Sequence, residues 1–185
     1  MEYSYIFDFD GVLINSMEAH YGSYRQALAE ENVPLERAKF YSNAGMTGKE
    51  QIAFFARRAF VEVDVEKVYA RKGQLWAKYA HLISKIPSNL ELLKYMKTAG
   101  FKVAIATGST PASIIPIMQK YQIKVDAVAT AEDVKRGKPH PDLFLCAAKK
   151  LGTVPEKCVV IEDSDVGIEA ARAAGMKAMR FYDFV

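Results

Sequence analysis

Cysteine is scarce in this chain. Only Cys146 and Cys158 occur in 185 residues, each inside an apolar run and neither in a metal-type cluster. They read as buried free thiols rather than a disulfide framework, which suits a reducing compartment. A dominant charge is missing too. Twenty-five Lys and Arg face 22 Asp and Glu, a formal net charge of +3. That balance is too small and too evenly spread to recommend nucleic acid or an anionic membrane as a partner. No apolar stretch approaches the roughly 20 residues that span a bilayer. No basic leader precedes the first strand-like run, so a cytoplasmic protein is expected. Internal repeats and low-complexity tracts are absent as well.

What is present is ordinary globular material. Half the residues are apolar and a quarter charged. A chain of this length buries roughly 70% of its unfolded surface. Short apolar runs at Tyr3–Phe9, Lys102–Thr107, Asp126–Thr130, Cys158–Glu162 and Lys177–Phe181 lack period-two alternation. Parallel strands covered on both faces read this way. Helical patterns separate them. Ser88-x-x-Glu91 has the form of a capping box, and Gly100 is a natural stop for the helix it would start. Thr110-Pro111 supplies a cap and a proline at the first helical position. A helix starting at Pro141 would end at Gly152, and the alanine-rich Gly167–Ala174 at Gly175.

These signals predict an α/β fold, a doubly wound parallel sheet of Rossmann type. Residues 16–84 break the alternation and read as helices alone: Ser16–Asn32, Gly48–Phe60 and Asp64–Ser84. The last carries Val65, Val68, Tyr69, Leu75, Trp76 and Tyr79, a broad apolar stripe that reads as packing. The expected division is a core of 1–15 and 85–185 with a helical cap of 16–84 inserted after the first strand.

Ligands of such sheets sit at the carboxyl ends of the strands. Asp8-Phe9-Asp10-Gly11 ends the first, Thr107-Gly108-Ser109 the second and Glu162-Asp163-Ser164 the fourth; Lys138 follows the third. Right-handed crossovers bring these segments to one rim. Clustered carboxylates repel and invite a hard cation, for which Mg²⁺ is suited. One carboxylate can then attack phosphorus, Lys138 can neutralise charge, and Thr107 with neighbouring backbone N–H groups can hold phosphoryl oxygens. Each segment alone is a common turn or cap; their order and placement carry the reading.

The same segments resemble a known family. Phe7-Asp8-Phe9-Asp10-Gly11-Val12-Leu13, Ala106-Thr107-Gly108-Ser109, Gly137-Lys138-Pro139-His140-Pro141-Asp142 and Val160-Ile161-Glu162-Asp163-Ser164-Asp165-Val166-Gly167-Ile168 are similar to motifs of the haloacid dehalogenase-like superfamily. The branch is the one with a helical cap, near phosphoglycolate phosphatases and β-phosphoglucomutases.

The resemblance implies Asp8 as nucleophile and Mg²⁺ ligand, and Asp10 as general acid then base, lending its backbone carbonyl to the metal. It implies Thr107, Gly108, Ser109 and Lys138 around the phosphoryl group. Asp163 would be a metal ligand, with Glu162 binding directly or through water. His20, at a position where β-phosphoglucomutases carry histidine, is a candidate to face the substrate; a structural histidine is the alternative. Asn15 and Ser16 are hinge candidates, and Asn15 stands where an aspartate is usual in this branch. Relatives commonly continue beyond the fifth strand, so an edge less covered than theirs is expected.

The function expected is a phosphatase acting on a small phosphomonoester as a monomer. A sugar phosphomutase is the alternative, with a non-catalytic phosphate-binding protein third. The cap residues Lys49, Arg57, Arg58, Arg71, Lys72 and Lys78 are candidates to meet an anionic substrate, or else a solvated face. In the segment from Ala44 to Lys49, Lys49 stands where an arginine fork would be expected to clamp phosphate.

Overall fold

The computed structural model describes residues 3–43 and 46–181. Chain order runs β1 (Ser4–Phe7), β2 (Ile14–Asn15), α1 (Met17–Ala29), α2 (Arg37–Ser42), α3 (Gly48–Arg58), α4 (Val65–Tyr79), β3 (Ser84–Lys85) and α5 (Pro87–Thr98). It continues through β4 (Val103–Ala106), α6 (Pro111–Lys120), β5 (Ala127–Ala129), α7 (Asp142–Leu151), β6 (Cys158–Glu162), α8 (Asp165–Ala173) and β7 (Lys177–Arg180). The five strands of the main sheet are parallel in the order β5-β4-β1-β6-β7. The expected doubly wound sheet is therefore present.

Apolar runs became strands here because each face needs cover. Ile6, Ala104 and Val160 point into a layer with Phe144, Ala147 and Ala171 of α7 and α8. Phe7, Ile105 and Ile161 point the other way, against Leu93 of α5 and Ile114 of α6. Each Ile, Val, Leu or Phe among them, exposed by a few per cent or less, contributes about 1.5–3 kcal/mol of transfer free energy, and each alanine less. Register aligns the strand ends: Phe7 stands beside both Ile105 and Ile161. Asp8, Thr107 and Glu162 consequently emerge at one edge.

The chain leaves and re-enters the core through a two-stranded antiparallel ribbon, Ile14 opposite Lys85 and Asn15 opposite Ser84. Between these crossings the described chain is mainly helical. Tyr24, Leu28, Phe40, Ile52, Phe55, Val68 and Leu75 give the insertion its own apolar core.

Several local expectations change. Pro87 is the first residue of α5 and Ile86 its cap, so Ser88-x-x-Glu91 is not a capping box; proline at the first position is already set for the helix, and Ile86 N donates to Leu13 O in the ribbon. The helix expected to reach Ser84 stops at Tyr79, and a 3₁₀ turn over Ala80–Leu82 precedes β3. Ser84 pairs with Asn15 instead. Helix α2 was not anticipated, because its single buried anchor, Phe40, makes no periodic stripe. No helix among the described residues is long and apolar enough to cross a membrane.

Candidate active site

The tight turn after β1 sets the site. Asp8 N donates to Ile161 O, tying the end of β1 to β6. Gly11 follows with φ +92°, and a Cβ there would lie 2.3 Å from Asp163 Oδ2. Only glycine satisfies both the backbone and the approach of Asp163.

Asp8, Glu162 and Asp163 each offer a carboxylate oxygen, and these lie within 4.8 Å of one another. Lys138 Nζ stands 2.5 Å from Asp8 Oδ1 and 2.7 Å from Glu162 Oε2, with its side chain fully buried. Burial, then the charge of Glu162, pushes the Asp8 carboxyl well above its ordinary range, against the pull of Lys138. Burial and Glu162 push Asp163 up to about 7. Burial opposes the Lys138 charge, but Asp8 and Glu162 outweigh it and hold the ammonium protonated. One ammonium thus serves three crowded carboxylates. An all-oxygen donor set with excess negative charge fits a hard divalent cation.

Asp10 contributes no side-chain oxygen to that group. Its carboxylate turns toward the cap and accepts from Ser16 Oγ, from His20 Nε2 at 3.1 Å, from Thr107 Oγ1 at 3.0 Å and from Ser109 Oγ at 2.8 Å. Burial would raise its pKa, yet His20 and these hydrogen bonds hold it well below the usual carboxylate range. These surroundings favour the carboxylate form of Asp10. Thr107 and Ser109, expected at a phosphoryl group, have their hydroxyls on Asp10. Gly108 lines the same cavity. Ser109 N donates to Thr107 Oγ1 at 3.0 Å.

His20 faces the site. Lys72 Nζ lies 3.4 Å from His20 Nδ1; an ammonium only donates, so Nδ1 accepts and Nε2 carries the proton given to Asp10. Burial, then the neighbouring Lys72, lowers the His20 pKa. Burial brings Lys72 down to about 8. Lys72 also packs over Tyr24 and Trp76, 5.0 and 4.8 Å from their ring centroids.

Among the cap cations considered, Lys72 is the one that lines the cavity. Lys49 pairs with Glu66 at 2.7 Å, Arg71 with Glu30 at 2.7 Å, and Lys78 donates to Gln26. Arg57 donates to Ala53 O and Arg58 packs over Phe54. Ala44 and Gly45 lie outside the described residues; Gly48 takes up the cavity wall beside Tyr24 and Tyr69. One residue was underrated by sequence. Ser16, read as a hinge candidate, is fully buried with its hydroxyl on Asp10. Its place at the start of α1, where it makes no capping bond, was the available signal.

Comparison with known proteins places this geometry in context. A family model described as "Haloacid dehalogenase-like hydrolase" matches residues 5–181. The phosphorylated carbohydrates phosphatase of Thermotoga maritima is 27% identical, over 97% of this chain and 84% of its own. Hexitol phosphatase A of Escherichia coli K12 is 33% identical, over 92% of this chain and 79% of its own. A solved structure titled as a putative β-phosphoglucomutase from Bacteroides vulgatus superposes with TM-score 0.86 at 28% identity, covering 99% of this chain and 76% of that one.

Proposed function

The chain belongs to the haloacid dehalogenase-like hydrolases, and from that premise we propose that it is a Mg²⁺-dependent phosphatase of small phosphorylated carbohydrates or related phosphomonoesters. The observation that carries this reading is the convergence of Asp8, Glu162 and Asp163 with Lys138 bonded to Asp8. Mg²⁺ held by Asp8, Glu162, Asp163 and the Asp10 carbonyl would offset the charge of carboxylates and phosphoryl oxygens.

The chain's own groups supply the rest. An Asp8 oxygen attacks phosphorus, the bond to the leaving oxygen breaks, and an aspartyl-phosphate forms. Lys138 holds Asp8 in line and neutralises charge on the transferring group. Phosphoryl oxygens compete with Asp10 for the Thr107 and Ser109 hydroxyls. Losing those donors beside a new anion raises the Asp10 pKa, so it can take up a proton and give it to the leaving oxygen. Asp10 then removes a proton from water, whose oxygen attacks phosphorus and releases phosphate and Asp8. The segment 16–84 acts as a cap over the core of 1–15 and 85–185, turning about the ribbon at Asn15 and excluding bulk water. The protein works in the cytoplasm as a monomer, without nucleic acid or membrane.

Sugar phosphomutase chemistry is the second reading. His20 on Asp10, with Lys72 behind it, favours it. Against it, no arginine is among the described residues lining the cavity, so no bidentate fork waits for a second phosphate. The deciding assay starts from β-glucose 1-phosphate with a trace of the 1,6-bisphosphate, alongside a panel of sugar and polyol monophosphates, and measures free phosphate and glucose 6-phosphate. Net phosphate release from the panel without stimulation by bisphosphate is expected. Glucose 6-phosphate forming much faster than phosphate would promote the mutase.

A further inference from the structure

Glu50, in the first turn of α3 in the inserted cap, does two things at once. Its carboxylate closes a capping box, accepting from Thr47 N at 2.9 Å and Thr47 Oγ1 at 2.6 Å. The same carboxylate reaches across to the core and accepts the backbone N–H of Gly137, at 3.1 Å to Oε1 and 3.2 Å to Oε2. Gly137 is buried and immediately precedes Lys138. A Cβ on Gly137 would lie 2.6 Å from both Thr47 N and Glu50 Oε2. Its φ is not in the left-handed region. Glycine is therefore required here by the approach of cap backbone, not by the conformation of its own.

We infer that Glu50 is a latch and a positioning residue: by binding the Gly137 amide it docks the cap and orients the adjoining Lys138 toward Asp8 in one step. Charge-assisted bonds to a backbone amide are among the stronger hydrogen bonds. This one spans two separately packed apolar cores, and its core end adjoins a side chain that needs accurate placement. A Lys138 shift of about 1 Å would already weaken its grip on Asp8 and the transferring phosphoryl. With the cap undocked the Gly137 amide loses its acceptor, and the loop is freer to move. Closure over a substrate and completion of the charge-stabilising group are then the same event. The catalytic half of this inference rests on the phosphatase reading; the contact itself does not.

Amide exchange at Gly137, followed by NMR in the metal-free protein, tests the latch without any turnover. In Glu50→Ala, exchange at Gly137 should speed up by about tenfold or more, the scale of one lost hydrogen bond to a charged group. Thr47→Val removes the capping hydroxyl but leaves Glu50, and should leave that amide protected. Glu50→Gln keeps an acceptor and should fall between; it also serves if the alanine variant does not fold. Unchanged Gly137 exchange in either folded Glu50 variant would overturn the latch.

Kinetics test the coupling. On a small phosphomonoester, Glu50→Ala should lower kcat about tenfold in the native background and scarcely at all in Lys138→Ala, because the two act as a unit. Equal losses in both backgrounds would overturn the role on Lys138. A native protein that releases no phosphate from any monoester would overturn the phosphatase reading while the exchange measurement still decides the latch.

Discussion

Lys138 Nζ and Asp8 Oδ1 lie 2.5 Å apart in a pair sealed from solvent, the lysine side chain at 0% exposure and the aspartate at 6%. Glu162 shares the ammonium, so its loss leaves two buried carboxylates without their cation. Lys138→Ala should lower kcat by two to three decades, about 3–4 kcal/mol of transition-state stabilisation by comparison with removing one preorganised donor. Steady-state phosphate release measures it. A change below about threefold would show that the pair does not serve the reaction.

Asp8→Asn should abolish turnover, since the amide neither attacks phosphorus nor carries charge to a metal. The fold should persist, because one carboxylate of a mutually repelling group has gone. Circular dichroism and phosphate release on the same sample check both halves. For the native protein, chelation should silence turnover and Mg²⁺ restore it. Ca²⁺ should inhibit, its longer bonds displacing the attacking oxygen. Full activity in excess chelator would refute the metal site.

Gly11→Ala tests the turn. The added Cβ would meet Asp163 Oδ2 at 2.3 Å on a backbone with φ +92°. Stability should fall by about 1–3 kcal/mol from the strained dihedral, and Mg²⁺ affinity should fall with the displaced Asp163. Titration calorimetry and thermal melts read the two effects separately. Native Mg²⁺ affinity in this variant would place Asp163 outside the metal site.

Lys72→Met should raise the melting temperature at neutral pH. Burial lowers the lysine pKa to about 8 from an ordinary 10.5. Below about pH 8 the ammonium is charged in both states, and the whole penalty of burying it is present. Between about pH 8 and 10.5 the unfolded chain binds more protons than the folded one, so stability rises with pH and the penalty fades. The gain from Lys72→Met should therefore be largest near pH 7 and nearly absent above about pH 10. Melting curves at the two pH values check it. A gain independent of pH would mean the lysine carries no burial cost.

The strand ends were readable because local chemistry and topology coincide there. Apolar runs without alternation imply a covered parallel sheet, and parallel strands put Asp8, Thr107 and Glu162 at one edge. Helix starts were less secure. Thr110-Pro111 was read correctly, whereas Ser88 was taken for a cap that Pro87 and the ribbon displaced. In the insertion, charge alone made six basic residues equal candidates, and only packing separated them.

The sequence by itself determined the parallel sheet, the helical insertion and the acidic rim, since these follow from periodicity, chain order and residue chemistry. Tertiary structure alone decided what each polar group faces. Contact between α1 and α4 turned Lys72 inward onto His20 while Lys49 and Arg71 found acidic partners outside. Docking of cap on core set Ser16 on Asp10 and Glu50 on Gly137. Lys72 on His20 and Glu50 on Gly137 join groups far apart along the chain, and the energies of all these pairings depend on burial and distance that no local pattern encodes.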